Sequence, residues 1–145
     1  MRMARNKSVH KVFIETSVFI RFFTKDDPDK AASVRTLLER IEAGALKPYT
    51  SNIVILEIVF VLSRLYGFAR TEVMRAIQTI LDLRNLTLVE KTNTPGAFSL
   101  WRTGAIKYGD CLIASKVPHG VSLVTYDSDF GKFSGLTART PKETT

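Results

Sequence analysis

The chain has 145 residues, 45% apolar and 24% charged, enough for one buried core and too ordinary a mixture for a disordered or collagen-like protein. Lys and Arg number 21 against 14 acids, and the resulting +7 favours polyanionic partners by counterion release and steering, although the basic residues are scattered rather than blocked. The longest nearly apolar window, residues 53–62, contains Glu57 and falls well short of the roughly 20 residues of a membrane span, so no transmembrane helix is expected.

Residues 1–10 read as a basic N-terminal tail without the apolar run of a secretory signal, which predicts a cytoplasmic protein. Lys11 to Glu15 is apolar without alternation, the pattern of a central strand covered on both faces. Thr16 or Ser17 is placed to cap a short helix through Phe23. Asp27 followed by Pro28 opens the next, which runs to Gly44 with Ala32, Leu37, Leu38 and Ile41 on its apolar face. An extended piece, Leu46 to Thr50, leads into SNIVILEIVFVLSRLYG, whose capping start and glycine end predict a helix. Thr71 caps another, with Val73, Met74, Ile77, Ile80 and Leu81 at helical spacing as core.

Leu86 to Val89 reads as a second buried strand, TNTPGAF as a turn into a helix carrying Phe98, Leu100 and Trp101, and GDCLIASKV as a helix opening at Asp110. VSLVT, residues 121–125, is a third strand. LTART is a weak strand, and residues 141–145 form a polar tail. There are no repeats. Strands alternating with helices predict a single α/β domain over 1–145, a mainly parallel central sheet flanked by helices with right-handed crossovers. The one cysteine, Cys111, cannot form an internal disulfide and reads as a small buried side chain.

The functional crevice of such a sheet lies beyond the carboxyl ends of its strands. Glu15 stands at one such end, Asp127 follows VSLVT by two residues, and Asp110 occupies a helix-opening position on the same rim. On its helix Glu57 shares a polar stripe only with Arg64, so its carboxylate is expected to be partly buried, at a cost of several kcal/mol unless something compensates. Each acid has a plainer reading by itself. Glu15 would be a surface acid, Asp110 an N-cap, Asp127 with Asp129 a solvated turn, and Glu57 a partner of Arg64. Taken together they argue for one site.

Two like charges near 4 Å repel by about 4 kcal/mol at an effective dielectric of 20, so four carboxylates sharing a pocket need a counter-charge. A hard divalent cation, Mg²⁺ or Mn²⁺, fits an all-oxygen donor set, whereas zinc is disfavoured because His10 lies in the basic tail and His119 in a Pro-Gly turn. Setting those four aside leaves 21 basic residues facing 10 acids. An acidic pocket in a basic shell suits metal-dependent hydrolysis of a phosphodiester chain.

At these residues the sequence resembles the PIN-domain ribonucleases, and within them the VapC-type toxins of toxin-antitoxin pairs, over nearly the whole chain. The pieces occur in order: Glu15-Thr16-Ser17-Val18-Phe19-Ile20-Arg21, then Ile53 to Leu65 around Glu57, then Gly109-Asp110-Cys111-Leu112-Ile113-Ala114, then Thr125 to Phe130. The resemblance implies a PIN-like three-layer sandwich with Glu15, Glu57, Asp110 and Asp127 as catalytic metal ligands. Thr16 and Thr125 would orient them, and Asp129 would be an outer member. It also implies Mg²⁺ or Mn²⁺, endonucleolytic cleavage of RNA, a homodimer, and inhibition by a cognate antitoxin. SVFIRFF and the helices near Phe68 are expected to supply the apolar contact surface.

One departure stands out: the first acid of the family is nearly always Asp, and Glu15 is one methylene longer. Catalytic constellations tolerate only about 0.5 Å of misplacement, so the substitution points to an alternative, a weakened or silent PIN-like module that binds RNA or protein. A receiver-like phosphoacceptor domain also gathers acids around Mg²⁺. It is the weaker reading, since no lysine follows on a final strand beyond the acids.

Overall fold

The computed structural model describes residues 9–144; residues 1–8, most of the basic segment, and Thr145 lie outside that range. Five parallel strands form one sheet in the order β3-β2-β1-β4-β5. The centre is β1 (His10–Ile14), paired on one side with β2 (Leu46–Ser51) and on the other with β4 (Ser122–Val124). The edges are β3 (Thr87–Val89) and β5 (Ala138–Arg139). His10 therefore opens the central strand rather than belonging to a tail. Val12, Phe13, Ile14, Leu123 and Val124 have no exposure at all, which is why β1 and β4 carry no polar alternation. Pro48 is tolerated in β2 because pairing with β3 begins only at Tyr49.

The helices are α1 (Thr16–Phe23), α2 (Pro28–Glu42), α3 (Asn52–Phe60), α4 (Arg70–Leu81), α5 (Thr94–Thr103), α6 (Tyr108–Lys116) and α7 (Pro141–Thr144). α2 starts as its sequence dictates: Asp27 accepts from the Lys30 amide, Pro28 fills the first helical position, and Gly44 takes φ +80° just past the end. Its core face is Val34, Leu37, Leu38 and Ile41, with Ala32 exposed. Ser51 caps α3 as expected. The helix then widens into a π turn, Val61–Leu65, before Gly67 at φ +68°.

Several local expectations change. Glu15, not Thr16 or Ser17, caps α1. Ala69, not Thr71, occupies the N-cap of α4, where Glu72 accepts from the Ala69 amide. On α4 the buried residues are Val73, Ala76 and Ile80, so Met74 and Leu81 fall on the adjacent face. Met74 is 56% exposed and not core. β3 is an edge strand and only half buried, because no strand lies beyond it among the described residues. The terminal segment forms α7 on a buried Pro141. SVFIRFF is mostly interior: Val18, Phe19 and Ile20 are buried, and Phe22 and Phe23 pack against the core. Exposed apolar residues lie instead on α3, the π turn and α4, among them Leu56, Phe60, Leu65 and Met74, and on α5, at Phe98 and Trp101.

Chain order runs outward from β1 through β2 to β3, then returns to the other side for β4 and β5. The reversal falls between β1 and β4. In an open parallel sheet that is where the crevice opens, and the carboxyl ends of these two strands carry Glu15 and the Thr125–Asp129 segment.

Candidate metal centre

Glu15 leaves β1 with its amide bonded to the Val124 carbonyl (3.0 Å), which ties the two strand ends together. Its side chain turns back over α1. Oε1 accepts three hydrogen bonds, from the Ser17 amide (3.1 Å), the Ser17 hydroxyl (2.6 Å) and the Thr125 hydroxyl (2.6 Å). Burial pushes the Glu15 pKa up; the hydroxyl donors oppose that, and Glu57 adds repulsion. Ser17 also accepts from the Tyr126 amide (2.9 Å), so one hydroxyl joins the end of β1 to the segment after β4.

Glu57, half-buried on α3, accepts from the Thr16 hydroxyl (2.9 Å). Its pKa rises chiefly through burial, with Asp110 repelling it and Lys107 attracting it. Arg64 is exposed and forms no ion pair with Glu57, so the structural pairing considered from the sequence is not the one adopted.

Asp110 lies in the first turn of α6, whose N-cap is Lys107. It is 7% exposed, and Oδ2 is buried without any hydrogen-bond donor. Burial raises its pKa; Lys107 lowers it, while Asp127 and Asp129 raise it further. Asp127 caps a short 3-10 turn, Ser128–Lys132, by accepting from the Asp129 amide (2.9 Å), and its own amide donates to the Thr125 hydroxyl (3.0 Å). Asp129 also pairs with Lys132 (3.0 Å).

Asp110, Asp127 and Asp129 each present one carboxylate oxygen within 4.8 Å of the others. Glu15 feels Glu57, Glu57 feels Asp110, and Asp110 feels Asp127 and Asp129. Asp110, Asp127 and Asp129, from two segments, thus converge at the carboxyl edge, and the two glutamates lie within electrostatic reach of a neighbouring acid. Asp129, expected at the periphery, belongs to this group, and neither Glu15 nor Glu57 does. Thr16 and Thr125 each bond one of the glutamates.

The chain matches the pattern of the PIN domain over residues 12–136. It belongs to the PIN domain family. No curated protein matches the sequence. In fold, this PIN domain is similar to VapBC2 from Rickettsia felis, solved bound to a DNA fragment from their promoter: TM-score 0.65, 17% identity, covering 90% of this chain and 98% of that one. It is similar also to PAE2754 from Pyrobaculum aerophilum (TM-score 0.61, 16% identity, 94% and 86% covered). A third likeness is Mycobacterium tuberculosis VapC20, described as a sarcin-ricin loop cleaving toxin (TM-score 0.61, 17% identity, 87% and 98% covered). At such identities these likenesses concern the fold, and they agree with the three-layer α/β sandwich expected from sequence.

Two residues that act on these acids had no site role from the sequence. Ser17 lies two positions after the acid that ends β1, the spacing at which a side chain bonds its neighbour's amide, and that offset was the available signal. Lys107 carried none. It is exposed, and only the fold sets its charge against both Glu57 and Asp110.

The donors available here are carboxylate oxygens, a set that suits a hard cation. Cys111 faces away, its thiol directed to the Ile106 carbonyl in the core, and His119 lies in the turn before β4, at the other end of that strand. The unpartnered Asp110 Oδ2 fits a cation ligand: a buried acceptor with no donor is costly unless a positive group meets it.

Proposed function

We propose that this PIN domain is a Mg²⁺- or Mn²⁺-dependent endoribonuclease, the toxin of a toxin-antitoxin pair, acting as a cytoplasmic homodimer held in check by its antitoxin. The observation that carries the reading is the buried, donor-free Asp110 Oδ2 beside Asp127 and Asp129 in a chain of net charge +7. The folds it resembles support the biological setting, since one is VapC20, named a sarcin-ricin loop cleaving toxin, and another is VapBC2 bound to a DNA fragment from their promoter.

Asp110, Asp127, Glu57 and Glu15 would hold the cation, directly or through water, with Asp129 joining them. Bound there, it would supply water activation and neutralise charge on the scissile phosphate. The chain's own groups prepare the site. Thr125 and Ser17 fix Glu15, Thr16 fixes Glu57, and the Asp127 turn fixes Asp129. Lys107 offers a positive charge at the rim for the incoming phosphate. Exposed apolar residues on α3 and α4 support a face covered by protein.

RNA incubated with the purified chain and Mn²⁺ is expected to be cut internally, and EDTA or Asp110→Ala to abolish cutting. Cleavage indifferent to both contradicts the proposal. The three donors on Glu15 Oε1 favour a second reading, in which the longer acid serves structure and the module is silent. Glu15→Asp separates the two: a gain of cleavage at constant RNA affinity supports the silent module, and a fully active wild type removes it.

A further inference from the structure

Between Glu90 and Asp110 the sequence contains no acid. Residues 91–109 carry Lys91, Arg102 and Lys107 and nothing to balance them, a charge of +3 immediately before the most buried aspartate of the site. The same segment holds a ladder of rings. Phe98 meets Trp101 edge to face with centroids 6.2 Å apart, and Trp101 meets Tyr108 in the same manner at 5.3 Å. α5 turns its small residue, Ala97, into the core and half-buries Leu100, while it leaves Phe98 49% and Trp101 48% exposed. A helix that buries alanine and shows tryptophan to solvent has its large rings on the face that packing does not use.

The position of the ladder gives it meaning. Tyr108 opens α6 in the same first turn as Asp110, so the ladder ends on the helix that carries the site's most buried aspartate. Lys107, next to it, is the cation that acts on both Glu57 and Asp110. Exposed rings on a segment whose own charges are all positive supply the two elements that bind single-stranded nucleic acid: cations follow the phosphates and rings stack on bases.

We propose that the Phe98–Trp101–Tyr108 ladder is a base-stacking platform that receives unpaired nucleotides of the RNA beside the phosphate being cut. This rests on the endoribonuclease reading and adds to it where the strand lies. It implies a preference for single-stranded or looped RNA, because bases inside a helix cannot reach a ring.

Trp101 is the chain's only tryptophan, so its fluorescence reports the platform directly. Titrating the purified 145-residue chain in EDTA with a short unstructured RNA is expected to quench that emission, and the same oligomer in duplex form to leave it nearly unchanged. Trp101→Ala is expected to weaken single-strand affinity roughly tenfold and to raise KM in Mn²⁺ with kcat little altered. Trp101→Phe, which keeps a ring, is expected to restore most of the affinity and guards against a folding defect. If the wild type cuts the RNA while Trp101 emission and the affinity of Trp101→Ala stay unchanged, the platform is wrong and the nuclease stands. If Trp101→Ala converts a sedimenting dimer to monomer with unchanged RNA affinity, the ladder is a protein interface and the proposal falls. A wild type that neither binds nor cuts RNA overturns the nuclease reading itself.

Discussion

Burying the Asp110 carboxylate with no donor on Oδ2 imposes a cost on the metal-free fold that a bound cation would remove. Its pKa is raised in the folded chain, first by burial and then by Asp127 and Asp129. Below the ordinary aspartate value, about 4, both folded and unfolded states are protonated and nothing is lost. As pH rises past it the unfolded chain ionises first, and stability falls until the folded group ionises too. In EDTA, Asp110→Asn is therefore expected to be more stable than wild type at pH 7, by about 1–2 kcal/mol, with the difference closing toward pH 3. Adding Mn²⁺ is expected to reverse the order by stabilising wild type alone. Thermal denaturation in both conditions measures this, and a variant less stable than wild type in EDTA at neutral pH contradicts it. At this scale much was legible: an acid ending an apolar strand and another set in an apolar helix announce themselves by their surroundings. What was not legible was the division of labour. That Glu15 would spend one oxygen on three donors while Asp129 moved inward depends on a one-methylene reach and a turn geometry that no spacing encodes.

At the scale of elements, α6 must be held firmly, since it delivers Asp110. Its last turn provides an anchor. Lys116 is 3% exposed, and its ammonium donates to the carbonyls of Val89 (3.2 Å), Glu90 (3.3 Å) and Lys91 (3.1 Å), the segment that leaves β3. Three donors on one cation meet three acceptors that the end of an edge strand would otherwise leave unsatisfied. Lys116→Met keeps the stem and removes the ammonium. It is expected to destabilise the fold by about 2–4 kcal/mol in denaturant unfolding, and a loss under about 1 kcal/mol would show that water replaces the clamp. A lysine ending a helix reads from sequence as solvated, so this anchor was invisible. Helix starts were read less well than helix existence: Glu15, Ala69 and Lys107 take cap positions that Thr16, Thr71 and Asp110 fit by composition. Periodicity failed on α4 for a related reason. Its apolar stripe is wider than the surface available to cover it, so Met74 is left outside.

For the whole molecule, the parallel sheet follows from a chain that alternates apolar strands with amphipathic helices, and its β1/β4 switch point follows from the strand order. The order itself could not be read from sequence, because the end of β1 is buried on both faces and nothing along it distinguishes which strand lies on which side. Once it is set, acids 112 residues apart in sequence, Glu15 and Asp127, are joined through the single hydroxyl of Thr125, which donates to one and accepts from the amide of the other. The central claim is that these distant segments build one divalent-cation pocket. Mn²⁺ soaked into crystals of the chain and located by its anomalous scattering tests this most directly. The account predicts a peak within about 2.5 Å of a carboxylate oxygen of Asp110, with Asp127 or Asp129 as a second ligand. A saturating soak that leaves those oxygens without a peak, or that places the ion on another face, contradicts it.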